Sequence, residues 1–235
     1  MKTWMWKIWV VAILPAFTVA AQEVLLFDNT TTDSGYVMNF PNGQETGDQI
    51  FLANYMTSPY LNSFSFEYYS PNATFAGTVT ADVRFYLNDG SLFNGENTPG
   101  TIFYHTGPFE IQTPQSYFPG INSAVLSFSL ANLYTDAALP LNPNMPMPST
   151  LTVSMTFQGL EGSDQVGVNL FGPPTVGIDY GDYWFNNGGA WELLANNDGV
   201  PVKFAMELDA PEPATLYLTM AGAALLAGFA RRRRQ

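Results

Sequence analysis

The chain contains no cysteine and a single histidine, His105. Without cysteine there is no disulfide framework and no thiolate chemistry. One histidine excludes a zinc site built on histidines, and no Gly-x-Ser-x-Gly elbow marks a serine hydrolase. Cations are scarce in the body of the chain. Of the 8 Lys and Arg residues, six (Lys2, Lys7 and Arg231 to Arg234) sit at the two ends. Between residues 22 and 210 only Arg84 and Lys203 remain, against every one of the 20 carboxylates except Glu212. That stretch carries a formal charge of −17, compared with −12 for the whole chain. Such a surface repels nucleic acid and anionic lipid, so no nucleic-acid partner is expected. Residues 22–210 also lack an amphipathic helical pattern and an internal repeat, which argues against a helical bundle, a propeller or a solenoid.

The two ends are the most directional parts of the sequence. Lys2 and Lys7 form a basic start, Ile8 to Phe17 an apolar core, and Val19-Ala20-Ala21 a small-residue cleavage site. Residues 1–21 therefore read as a signal peptide for signal peptidase, with the exported chain beginning at Gln22. Trp4, Trp6 and Trp9 fall in the discarded part. At the other end, Pro211-Glu212-Pro213 precedes an uncharged run from Ala214 to Ala230, followed by Arg231, Arg232, Arg233 and Arg234. The run is about as short as a spanning helix can be, and lipid requires that its backbone be satisfied internally, as a helix. Four arginines act as a cytoplasmic stop, which places everything before residue 211 outside the cytoplasm.

This ending resembles the PEP-CTERM sorting signal of Gram-negative bacteria: a Pro-Glu-Pro triplet, a short membrane helix and an Arg-rich terminus, in that order. The resemblance covers residues 211–235 only. It implies recognition by an exosortase, removal of the tail and an association with exopolysaccharide production. A plain C-terminal membrane anchor is the alternative to it.

The body, 22–210, is expected to be one all-β domain, a two-sheet β-sandwich of jelly-roll-like type with about ten strands. Ser63–Tyr69, Thr78–Asn88, Ser123–Leu130, Thr150–Phe157 and Val202–Leu208 alternate apolar and polar residues. Their pattern suits sheets with one buried and one wet face, so Thr80, Asp82, Arg84, Tyr86, Thr152 and Lys203 are expected to point outward. Shorter extended pieces are expected at Glu23–Phe27, Tyr36–Phe40, Asp48–Ala53 and Gln165–Phe171. Thr101–His105 and Phe109–Gln112 flank Gly107-Pro108 and suggest a hairpin. Asn186-Asn187-Gly188-Gly189 is a stronger hairpin signal. Leu139 to Pro148, with four prolines, reads as a connector crossing between sheets.

Candidate chemistry concentrates in Gly177 to Trp191. Tyr180, Tyr183, Trp184 and Trp191 are candidate glycan-binding residues, because sugar faces stack on flat aromatics while nearby Asp and Asn groups bond hydroxyls. The competing and preferred reading makes Trp184 and Trp191 core residues on either side of a turn. Asp179 and Asp182, or Asp28 with its turn neighbours, are the candidate calcium ligands; in so acidic a chain, solvated turns are the preferred reading. His105 reads as a hairpin residue, and Arg84 as the partner of a neighbouring carboxylate.

The expected function is that of an exported, exosortase-sorted protein of the cell surface or extracellular matrix, with a non-enzymatic structural or interaction role and no resident cofactor. A carbohydrate-binding module for exopolysaccharide is the alternative, and a glycan-active enzyme the third reading. The expected partners are signal peptidase, exosortase, the membrane through the tail helix before processing, and exopolysaccharide.

Overall fold

A computed structural model describes residues 23–54, 61–114, 123–129, 148–195 and 199–211. The expected signal peptide, most of the proline-rich stretch read as a connector, and the residues after Pro211 lie outside the described residues. Those described contain fifteen strands and no helix, where the sequence pattern suggested about ten strands.

Two large antiparallel sheets face each other. The first contains β1 (Glu23–Asp28), β2 (Asp33–Asn39), β4 (Ser63–Tyr69), β10 (Ser123–Ser129), β12 (Gly167–Phe171) and β15 (Met206–Pro211). β4 pairs with β10 along one edge; its other edge is shared by β15 near Ser63–Phe66 and β12 near Tyr68–Tyr69. β1 closes on β15 and β2 on β12. The second sheet runs in the order β14 (Ala190–Leu194), β13 (Ile178–Asn187), β3 (Glu45–Phe51), β11 (Thr150–Gln158), β5 (Thr80–Leu87) and β8 (Ile102–His105), with β9 (Phe109–Glu110) also on β5. The chain crosses repeatedly between the sheets, so both contribute to one core. Phe64 of the first sheet meets Phe85 of the second edge-on at 5.0 Å, and Phe40 meets Phe157 at 5.4 Å.

The inward set follows the alternation. Phe64, Phe66 and Tyr68 on β4, Ala81, Val83 and Phe85 on β5, and Leu151, Val153, Met155 and Phe157 on β11 are all buried. Burial at this scale is the dominant favourable term for a domain without disulfides. The expected hairpin around Gly107-Pro108 is not formed. β8 and β9 instead run one after the other along the same edge of β5. Pro108 has no N–H for the ladder, and at the break the hydroxyl of Thr106 accepts the Val83 N–H at 3.0 Å. The Asn186–Gly189 hairpin is present as β13–β14, with Gly188 and Gly189 both at positive φ.

The outer face of the second sheet corrects a further expectation. It is not wet: Thr152 and Ser154 are fully buried, and Thr156, Tyr86, Glu45 and Gln49 nearly so. Trp184 is also fully buried on this face, opposite Gly47. Part of the cover is a small hairpin, β6 (Leu92–Phe93) and β7 (Glu96–Asn97), turned by Asn94 and Gly95 at positive φ. Its Phe93 ring contacts Trp184 at 6.4 Å, and Trp191 stands edge-on to Tyr86 at 5.4 Å. Asp89 braces the loop that carries the hairpin by accepting the Thr101 N–H and hydroxyl. The sandwich therefore has an apolar core between the sheets and a second, polar–aromatic layer outside one of them.

Candidate functional site

Three places gather polar groups: a seam between the sheets, the covered outer layer, and the strand from which the tail departs.

At the seam, register on β3 and β13 sends two carboxylates to the inner side of the second sheet. Asp48 lies in line with Val153 and Tyr183, and Asp179 with Ile50. A bulge between Asp179 and Tyr183 contains Gly181, whose φ of 80° suits glycine. That turn lets the Gly181 N–H donate to Asp179 Oδ1 at 2.8 Å, while its carbonyl accepts the Val202 N–H at 2.9 Å. The segment around Val202 to Ala205 thus touches both sheets. Phe204 bridges to Leu170 of the first sheet and donates its N–H to Asp48 Oδ2 at 2.8 Å. Lys203, expected to point outward, is instead turned in by this crossing. Its Nζ lies 3.6 Å from Asp179 Oδ1 and donates to the Asp179 carbonyl at 3.0 Å.

One oxygen of each carboxylate remains. Asp48 Oδ1 and Asp179 Oδ2 are buried and meet no hydrogen-bond donor among the described residues, and the two carboxyls are close enough for each to act on the other. Two acceptors can satisfy one another only if a proton is held between them. Burial pushes Asp48 well above the ordinary carboxylate range, and the charge of Asp179 pushes it further. Burial also raises Asp179, to about 6, against the opposing pull of the Lys203 ammonium. Both are thus pushed toward the neutral form, and Asp179 is the one of the pair that faces Lys203.

The outer layer centres on Glu45. Its Oε1 accepts from Tyr86 Oη at 2.8 Å and Ser154 Oγ at 2.6 Å; its Oε2 accepts from Arg84 Nη1 at 3.2 Å and Asn186 Nδ2 at 3.0 Å. Arg84 also pairs with Asp82 at 2.8 Å, as expected of a cation beside carboxylates. Next to this cluster the Trp184 Nε1–H donates to Gln49 Oε1 at 2.9 Å. Between the β6–β7 hairpin and the β11 start lies a cleft of about 280 Å3, lined in part by Gln49, Asn88, Glu96, Asn97 and Tyr180. Asn88 Oδ1 accepts from Thr152, whereas its Nδ2 is buried without a partner among the described residues.

The four aromatic candidates do not share a surface. Tyr180 is 53% exposed and borders the cleft. Trp184 is buried, Trp191 packs on Tyr86, and Tyr183 belongs to the other face, against the core. Asp179 and Asp182 likewise part company: Asp179 turns to the seam, while Asp182 feels the charge of Glu96 on the outer hairpin. Asp28 caps its turn, taking hydrogen bonds from Thr30 and Thr175. The His105 Nδ1 accepts the Gly107 N–H at 3.1 Å. Sequence reasoning had no reason to single out Asp48, Glu45, Gln49 or Asn88. The run Glu45–Gln49 is polar on both faces and poor in strand formers, so it gave no signal of a buried strand.

At the third place, β15 runs alongside β1 so that Pro211 pairs with Glu23 and Ala210 with Val24. Pro211, the first residue of the Pro-Glu-Pro triplet, is thus the last residue of a paired strand. The other two, and the arginines, lie outside the described residues.

The family model of the PEP-CTERM protein-sorting motif matches residues 209–234. No curated protein and no solved structure gives a significant match to the chain.

Proposed function

We propose that this chain is an exported β-sandwich delivered to the cell surface or extracellular matrix by exosortase processing, with a structural or interaction role there rather than a catalytic one. The observation that carries the reading is how the sorting motif joins the fold. The matched segment begins at Asp209, inside β15, where Asp209 pairs with Ser63 and Ala210 is fully buried. No linker separates the domain from its signal. The start of β1 and the end of β15 lie side by side, Glu23 paired with Pro211. Such a precursor sits with one end of its sandwich at the bilayer. Removal of the tail just beyond β15 releases a domain whose last strand is already paired.

The test is the intact mass of the exported protein from cells with an active exosortase. It should begin at Gln22 and end near Pro213. Full-length protein retaining Arg234 in such cells would leave only a plain membrane anchor. In cells without exosortase, a reporter fused after Gln235 should be cytoplasmic.

Glycan binding is the second reading, and the cleft favours it. An open tyrosine ring beside amide and carboxylate groups suits a sugar, with one face stacked and the hydroxyls bonded. Only Tyr180 of the four aromatics supplies that ring. Titration with the exopolysaccharide of the producing cell should then saturate, and Tyr180→Ala should abolish binding without altering the fold.

A further inference from the structure

The seam holds an amine, a carboxyl to receive it and a second acid to move protons. We propose that Lys203 and Asp179 are joined by an intramolecular amide bond, which the folded domain forms itself with Asp48 as the catalytic acid.

The geometry is that of a reaction waiting for a proton shift. Lys203 Nζ is anchored by the Asp179 carbonyl at 3.0 Å, which holds it beside the carboxyl of the same residue, 3.6 Å from Oδ1. Contacts at about this distance give intramolecular reactions effective molarities far above any solution value. The side chain of Asp179 has no solvent exposure and that of Lys203 has 14%. Asp48 is fully buried and held from behind by the Phe204 N–H. Its other oxygen is buried without a donor among the described residues, and Asp179 is the neighbouring carboxyl that acts on it.

The steps balance without any co-reactant. The Lys203 ammonium gives a proton to the Asp179 carboxylate, leaving a neutral amine and a neutral acid; burial favours this exchange because it removes two charges from a dry site. The amine then attacks Cγ of Asp179, and the Asp48 hydroxyl donates to the oxygen that gains charge. Asp48 next carries a proton from the nitrogen to the departing hydroxyl. The C–O bond breaks and one water leaves; as the amide carbonyl re-forms, its oxygen returns the first proton to Asp48, which ends protonated as it began. The product is a C–N bond between residues on either side of the sandwich seam. It ties β13 of the second sheet to the segment leading into β15, the strand from which the sorting tail departs. A protein without cysteine gains in this way a covalent staple indifferent to redox conditions.

The experiment is mass spectrometry of the exported, processed chain after denaturation and tryptic digestion. The expected result is an intact mass lower by one water and no tryptic cut after Lys203; because Arg84 is the one other tryptic site in residues 22–210, the product is a single looped peptide from residue 85 onward in which Lys203 is joined to Asp179. Lys203→Arg and Asp48→Asn should each restore the full mass. Asn keeps an acceptor for the Phe204 N–H but cannot shuttle the proton. A full-mass native chain whose Lys203 reacts with amine reagents after denaturation would overturn the proposal, and this outcome needs no variant to fold. A looped, water-depleted peptide persisting in Asp48→Asn would overturn the role given to Asp48.

Discussion

Glu45 and Asp48 are neighbours on β3, on opposite faces of one sheet, and both are buried. Their surroundings differ in kind. Glu45 receives four hydrogen bonds, one of them from a guanidinium that is itself paired with Asp82. Every lone pair that burial strips of water finds a donor, and the group is a fixture of the outer layer. Asp48 receives one N–H and then faces another carboxylate. Its second oxygen is satisfied only by a proton, so its charge state depends on its neighbour. A buried carboxylate with enough donors organises structure; one short of donors keeps a proton and can do chemistry.

Removing the fixture should have the largest effect. Glu45→Ala strands Tyr86, Ser154, Asn186 and part of Arg84 without their acceptor, and should lower stability by about 3 kcal/mol, read from denaturant unfolding. Arg84 keeps Asp82 and some solvent, which holds the loss below that of a wholly buried pair. Next is Thr152→Asp. A wet outer face would make it mild; the covered face makes it costly by about 2 kcal/mol, since a new carboxylate would lie beside Asn88 with no solvent.

The pH response sharpens the contrast at the seam. It is best measured in Lys203→Arg, which keeps a cation but has no amine able to form the cross-link. Asp48 and Asp179 are both raised in the folded state. Their contribution is therefore complete below the ordinary carboxylate pKa and is lost as pH rises, for Asp179 through about 6. Asp28 and Asp89 are lowered: burial opposes the Thr175 and Thr30 hydrogen bonds at Asp28, and Thr101 lowers Asp89. Their contribution fades only in stronger acid. Stability should peak in mild acid, and the melting temperature should fall by roughly 5 °C between pH 5 and pH 8. A monotonic rise with pH would contradict this. The smallest effect belongs to Asp48→Asn in the same background. The amide accepts from Phe204 and donates to Asp179, so stability at neutral pH should stay within about 1 kcal/mol of its parent.

The strands that could be read from the sequence are those whose burial is decided locally. Phe64, Phe66 and Tyr68, or Leu151 to Phe157, alternate because one face meets the core, and Gly188-Gly189 turns wherever it stands. β3 was legible only in part, because Glu45-Thr46-Gly47-Asp48-Gln49 is polar on both faces and its burial depends on partners far along the chain. Thr152 and Ser154 look the same whether covered or wet, and the cover comes from a hairpin at 92–97 marked by little more than Asn94-Gly95. The sorting signal was legible because it is contiguous. The seam was not: Asp48, Asp179 and Lys203 come from three separate segments, and alternation alone sends Lys203 outward. Only the Gly181 bulge and the crossing at Val202 bring it in.

The central claim is that the buried carboxyl pair at the seam, Asp48 and Asp179, holds a proton between its members above the ordinary carboxylate range. An NMR titration of side-chain carboxyl carbons in aspartate-labelled, exported protein tests it most directly. One aspartate resonance should remain at the protonated position through pH 7 and disappear in Asp48→Asn, whether or not the amide bond to Lys203 has formed. If every aspartate carboxyl has ionised by pH 6, the seam holds no shared proton and the account of it fails.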